Sequence, residues 1–202
     1  RALEAFWAGR SSEVELTAAF NQLRQAYFDC LVELGLSRDD ASIPENSALY
    51  DQVLDVTTFL GAVPARFAGK KGLDLHFSLA RGDKDVPPLE MTKWFDTNYH
   101  YLVPEIGPDT TISFADDLLV QRFVSAKESG TLTRPVIVGP VTYLALAKAS
   151  DDAPEGWSPL SRIDDVAAAY RELFAALAAV GAPWVQADEP ALVSDNLSVS
   201  RA

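Results

Sequence analysis

Cysteine is almost missing from this chain. One residue, Cys30, in 202 excludes an internal disulfide framework and fits a reducing compartment, the cytoplasm. Histidine is nearly as scarce. His76 and His100 are the only two, and no His-x-x-x-His, Cys-x-x-Cys or His-x-Cys spacing occurs, so no metal site is predicted. Each imidazole is read as structural. Positive charge is short as well: 17 Lys and Arg against 29 Asp and Glu leave −12, which argues against a nucleic-acid partner. No apolar run approaches the length of a bilayer span, so no membrane partner is expected. A Gly-rich phosphate turn behind a strand is also lacking, which counts against a dinucleotide-binding doubly wound sheet.

What is present is a chain that is 48% apolar, enough to bury a sizeable core. It opens in "RALEAFWAGR", which reads as a helix without a start signal, and so as a chain trimmed from something longer. "SSEVELTAAFNQLRQAYFDCLVELG" is the clearest helix. Ser12 and Glu15 can form a capping box, and Gly35 can close the far end. Leu16, Phe20, Leu23, Tyr27, Cys30 and Leu34 recur at three- and four-residue steps, which predicts one buried face. Cys30 lies on that face and is read as a small buried hydrophobe.

Two further helices are expected. "TTISFADDLLVQRFVSAKESG" carries Phe114, Leu118 and Phe123 at helical spacing; "SRIDDVAAAYRELFAALAAVG" carries Ile163, Val166, Tyr170, Leu173, Phe174, Leu177 and Val180 and ends at Gly181. Each precedes a short apolar strand, "RPVIVGP" and "PWVQADEP". Helix, strand, helix, strand implies parallel βαβ units, hence an α/β fold. Without a phosphate turn, and with a strand ending in Asp188-Glu189-Pro190, a (β/α)8 TIM-type barrel with polar groups at strand C-termini fits better than an open sheet. Residues 70–90 read as solvated loops.

Asp188 and Glu189 are adjacent on a strand and point to opposite faces, so they are not an acid–base pair by themselves; on spacing alone a polar strand end before Pro190 explains them better. The odd segment is "EMTKWFDTNYHYLVPE", residues 90–105, which sets Lys93, Asp96, Asn98 and His100 among Trp94, Phe95, Tyr99 and Tyr101. A lysine there snorkels to water, pairs with Asp96, or meets an anion.

"LEMTKWFDTNYHYLVPE", together with "YDQVLDVTTFLGAVPARF", "RPVIVGPVTYLALAK" and "WVQADEPAL" in that order, closely resembles the cobalamin-independent methionine synthase family. The likeness runs from residue 1 to about Leu192, and "RALEAFWAGRSS" looks like the end of that family's first conserved block. The resemblance implies a methyltransferase that moves a methyl group from 5-methyltetrahydrofolate polyglutamate to homocysteine, without cobalamin. It implies two (β/α)8 barrels, with residues 1–202 as an incomplete part of the N-terminal one. Zinc and homocysteine would sit in a C-terminal barrel outside this stretch, leaving this stretch inactive by itself and prone to associate through open strand edges. It maps a polyglutamate-binding lysine onto Lys93, gives Asp96, Asn98 and His100 a place at the barrel mouth, and makes Asp188 the relic of a homocysteine-holding residue. It assigns no catalytic residue here. Two other classes stay open on the residues alone: a binding module without chemistry, and a lyase or hydrolase using Asp188 and Glu189.

Overall fold

The computed structural model describes residues 1–194. A short helix, α1 (Ala2–Trp7), leads into the long α2 (Glu13–Glu33). The α2 start is the expected capping box: the Ser12 hydroxyl accepts from Glu15 N at 3.2 Å, and the Glu15 carboxylate accepts from Ser12 N at 2.7 Å. Its end is a Schellman turn. Gly35, at φ 104°, donates to Val32 O, and Leu36 donates to Leu31 O.

The buried face of α2 is not the predicted one. Leu16, Arg24 and Phe28 are buried, whereas Leu23, Tyr27 and Leu34 are exposed and so is Cys30. The rotation has a cause. Arg24 turns inward to meet Glu45, a carboxylate with no solvent access, and carries Phe28 in with it. An ion pair thus overrides the apolar periodicity.

Strand β1 (Ile43–Glu45) precedes α3 (Gln52–Phe59) and α4 (Gly72–Arg81). Helix α4 occupies a stretch expected to be loop, and it buries His76, Phe77 and Leu79. Next come β2 (Met91–Lys93), β3 (His100–Leu102) and β4 (Glu105–Ile106). Helix α5 runs only over Leu118–Glu128. The predicted helix began too early: residues 110–117 are irregular, and Ser113 and Ala115 donate instead to the carbonyls that end α3. Phe114 reaches the core from this loop, edge-on to Phe59.

Strand β5 (Thr133–Val138), α6 (Pro140–Leu146), β6 (Lys148–Ala149), α7 (Ile163–Ala179) and β7 (Gln186–Asp188) complete the order. Helix α7 ends as expected, in a second Schellman turn through Gly181 at φ 87°. The predicted strands β5 and β7 are neighbours and parallel, and β1 lies parallel on the other side of β5. A second parallel pair joins β4 to β6. The chain is therefore α/β, with short parallel sheets under helices; the described residues form no closed barrel. The main core lies where α3, α5, α6 and α7 meet β5, around Phe59, Phe123, Val138, Tyr143, Tyr170 and Leu173. Tyr143 is fully buried, and its hydroxyl shares a hydrogen bond with Thr57 at 3.2 Å.

Candidate functional site

The ring-rich segment is a β-hairpin. Strands β2 and β3 pair antiparallel, with Met91 opposite Leu102 and Lys93 opposite His100. The reason lies in residues 94–99. Trp94 N donates to Tyr99 O at 2.8 Å, Thr97 Oγ1 donates to Trp94 O at 2.6 Å, and Tyr99 N donates to Thr97 Oγ1 at 3.1 Å. Phe95 sits in the left-handed region at φ 50°, a strained setting for an aromatic residue. The rings have a structural task. Trp94 stands edge-on to Phe95, Tyr99 and Tyr101 at centroid distances of 5.1, 6.5 and 5.9 Å, and it packs against the main core.

Two anchors hold the hairpin. Tyr101 donates through its hydroxyl to Leu146 O at 3.0 Å. Asp51 is the other. This residue caps α3, its carboxylate accepting from Val53 N and Leu54 N at 3.2 and 3.1 Å. The same carboxylate accepts from Leu102 N at 3.0 Å and from the Tyr99 hydroxyl at 3.5 Å. Burial pushes the Asp51 carboxyl above the usual carboxylate range, and the three backbone N–H donors oppose that push. Burial, helped by the charge of Asp51, lifts the Tyr99 phenol to about 12.

Lys93 is exposed, and among the described residues it has no ion-pair partner; Asp96 does not pair with it. It lies at a cleft of about 340 Å³ whose walls include Phe95, Leu144, Leu146, Ser158 and Leu160. An ammonium beside an apolar wall can hold an anion whose body is less polar than its charge. Asp96 and Asn98 are exposed on the turn, and His100 Nδ1 lies 3.0 Å from Asn98 O. Asp188 is on a different element, the end of β7, where it accepts from Gln186 Nε2 at 2.7 Å. Its neighbour Glu189 accepts from Val141 N and Thr142 N at 2.9 and 2.6 Å and so caps α6. That engagement leaves the Asp188–Glu189 pair poorly suited to acid–base work.

A second polar region lies between α2, α4 and α5, which sequence reasoning missed. A cleft of about 440 Å³ is lined there by Phe20, Arg24, His76, Asp116, Gln121 and Arg122. Arg122 pairs with Asp55 at 2.8 Å. The signal that could have found it is two helical arginines flanked by apolar residues at four-residue spacing, Arg24 between Phe20 and Phe28 and Arg122 between Leu118 and Ala126. No three His, Cys, Asp or Glu side chains converge to hold a metal ion among the described residues, so the donor set present does not fit zinc.

The family model described as "Cobalamin-independent synthase, N-terminal domain" matches residues 1–201. This chain belongs to that family. It is 46% identical over 198 residues to 5-methyltetrahydropteroyltriglutamate–homocysteine methyltransferase 1 of Arabidopsis thaliana, covering 96% of this chain and 25% of that protein. The similarly named methyltransferase of Mycobacterium tuberculosis (strain ATCC 25618 / H37Rv) is 47% identical over 197 residues, again 96% of this chain and 25% of the relative. The enzyme of that name from Catharanthus roseus is 45% identical with the same coverage. The chain thus spans about a quarter of the length of the curated relatives it matches.

Proposed function

We propose that this chain serves as part of the N-terminal (β/α)8-type barrel of a cobalamin-independent methionine synthase. That enzyme would pass a methyl group from 5-methyltetrahydrofolate polyglutamate to homocysteine. The parallel order β1-β5-β7 under packed helices supports the barrel reading. The contribution of this chain is to bind the folate tail. The carrying observation is Lys93: a cation with no ion-pair partner among the described residues, on an exposed hairpin, at a cleft, within the Met-Thr-Lys-Trp-Phe sequence.

A chain of γ-linked carboxylates is a polyanion, and a flexible ammonium holds it without rigid geometry. Asp96, Asn98 and His100 shape the same hairpin end, and Asp188 organises the end of β7. Activation of the homocysteine thiol by zinc belongs, on this reading, to a C-terminal barrel outside residues 1–202. A cytoplasmic location goes with this function; for its part, no described helix is long and apolar enough to cross a membrane. The test is methyl transfer by the complete gene product from 5-methyltetrahydropteroyltriglutamate to homocysteine, followed as methionine formed. No turnover with a zinc-loaded, pure preparation overturns the reading. Residues 1–202 alone should retain no stoichiometric zinc after dialysis.

A further inference from the structure

Strand β2, which carries Lys93, touches the rest of the protein lightly. All three of its residues are exposed, and its strand partner is β3. Where Lys93 stands is therefore decided by how β3 is held. In β3 and the turn before it, two residues meet one carboxylate, Leu102 at 3.0 Å and Tyr99 at a long 3.5 Å. Asp51 Oδ2 accepts from Leu102 N, and Asp51 Oδ1 accepts from the Tyr99 hydroxyl. His100, the register partner of Lys93, lies between those two points. The carboxylate cannot swing away, because each oxygen also accepts from the first turn of α3, Oδ1 from Val53 N and Oδ2 from Leu54 N. Asp51 is 2% exposed, and this burial strengthens its hydrogen bonds.

We infer that Asp51 is a positioning residue for the anion site: its buried carboxylate ties the N-terminus of α3 to both sides of His100 and so sets where Lys93 presents its charge. An ordinary helix cap needs one acceptor oxygen and has no use for the bonds to Leu102 and Tyr99. This inference rests on the reading of Lys93 as the folate-tail residue, and the experiment below separates the two.

The variants are Lys93→Ala, Asp51→Asn, Tyr99→Phe and the double variant Asp51→Asn/Lys93→Ala, made in the complete gene product. Each is assayed for KM and kcat with monoglutamate and triglutamate methylfolate, alongside its melting temperature. Asn is as good an N-cap as Asp but keeps one acceptor oxygen, so Asp51→Asn gives up one acceptance from α3 and one from the hairpin together, and the tail-length ratio, read beside the melting temperature, separates the two effects. Lys93→Ala should raise KM for the triglutamate several-fold more than for the monoglutamate. Asp51→Asn should shift the same ratio in the same direction, and the double variant should lose no more than Lys93→Ala alone, because Asp51 acts through Lys93. Tyr99→Phe, which leaves the α3 cap whole, should show a smaller shift of the same sign; it carries the test if Asp51→Asn does not fold.

If Lys93→Ala shifts the ratio but neither Asp51→Asn nor Tyr99→Phe does, the positioning role is overturned and the Lys93 reading stands. Losses in the double variant that add, or that fall equally on both tail lengths, also overturn it, since a purely structural residue behaves that way. If Lys93→Ala leaves the ratio unchanged, the tail-binding reading falls and the positioning role falls with it.

Discussion

Arg24 of α2 and Glu45 of β1 form an ion pair that is almost wholly removed from water, at 5% and 0% exposure. The guanidinium is well satisfied. Nε donates to Glu45 at 3.1 Å, Nη1 to Asn21 at 3.1 Å, and Nη2 to Arg122 O at 2.9 Å as well as to Glu45. Removing one partner strands the other charge in a medium that solvates it poorly. Arg24→Met should therefore cost about 3–5 kcal/mol in urea unfolding. Arg24→Met combined with Glu45→Leu should cost clearly less than the two single changes summed. A single-variant loss under about 1 kcal/mol would show that water reaches the pair after all.

Lys93, without an ion-pair partner among the described residues, makes a salt-sensitive forecast. If it holds the polyglutamate tail as proposed, its exposed charge is screened within about 8–10 Å at ordinary ionic strength. The advantage of triglutamate over monoglutamate substrate should thus shrink as salt rises in the wild type. In Lys93→Ala the advantage should be small and nearly flat with salt. An advantage in the wild type that ignores salt would remove Lys93 from the tail site.

His76 gives a pH dependence. It is buried on α4, and burial holds its pKa below the usual imidazole value; the Arg122 charge acts in the same sense, while Asp55 and Asp116 oppose it. An unfolded chain takes up a proton near pH 6.5, whereas the folded chain refuses it until lower pH. Below about pH 6.5 the unfolded state therefore binds more protons, and stability falls as pH falls. The contribution is complete above that pH. Urea midpoints measured from about pH 7.5 down to about pH 5 should slope downward, and His76→Leu should flatten the slope. An equal slope in the variant would assign the effect to other groups.

Gly139, the N-cap of α6, sits against the Glu189 carboxylate. A Cβ added there would stand 2.3 Å from Glu189 Cδ and 2.4 Å from Oε1. Gly139→Ala must displace the carboxylate from Val141 N and Thr142 N, at a cost of about 1–3 kcal/mol. In Gly139→Ala/Glu189→Ala the clash is gone, so the double variant should be no less stable than Glu189→Ala alone. Thermal unfolding of the three proteins checks this; an additive loss would contradict it.

Much of the skeleton was legible in the sequence because its signals are local. The Ser12–Glu15 box, the Gly35 and Gly181 closures, and the strands around Val136 and Ala187 each depend on residues a few positions apart. The errors share a different origin. The inward turn of Arg24, which left Leu23 and Cys30 outside, answers to Glu45, 21 residues away. The late start of α5, which leaves Phe114 in a loop, answers to carbonyls at the end of α3, more than 50 residues earlier. Lys93 stood out as an unexplained cation, but Asp51 did not stand out at all. A helix cap is its complete local explanation, and the bond to Leu102 crosses 51 residues.

The cap on α6 carries a consequence for the order of events during synthesis. Val141 and Thr142 leave the ribosome about 48 residues ahead of the carboxylate that will satisfy their N–H groups. At typical elongation rates that interval is roughly 2–10 s, far longer than the sub-microsecond to microsecond time a helix needs to form and melt. Through that interval the nascent α6, opened by Gly139 and Pro140, has no carboxylate at its first turn. Its helical state is then sampled and lost many times until residue 189 emerges. The arrival of β7 is what latches the helix, so this part of the chain acquires its final shape from the C-terminal side backwards.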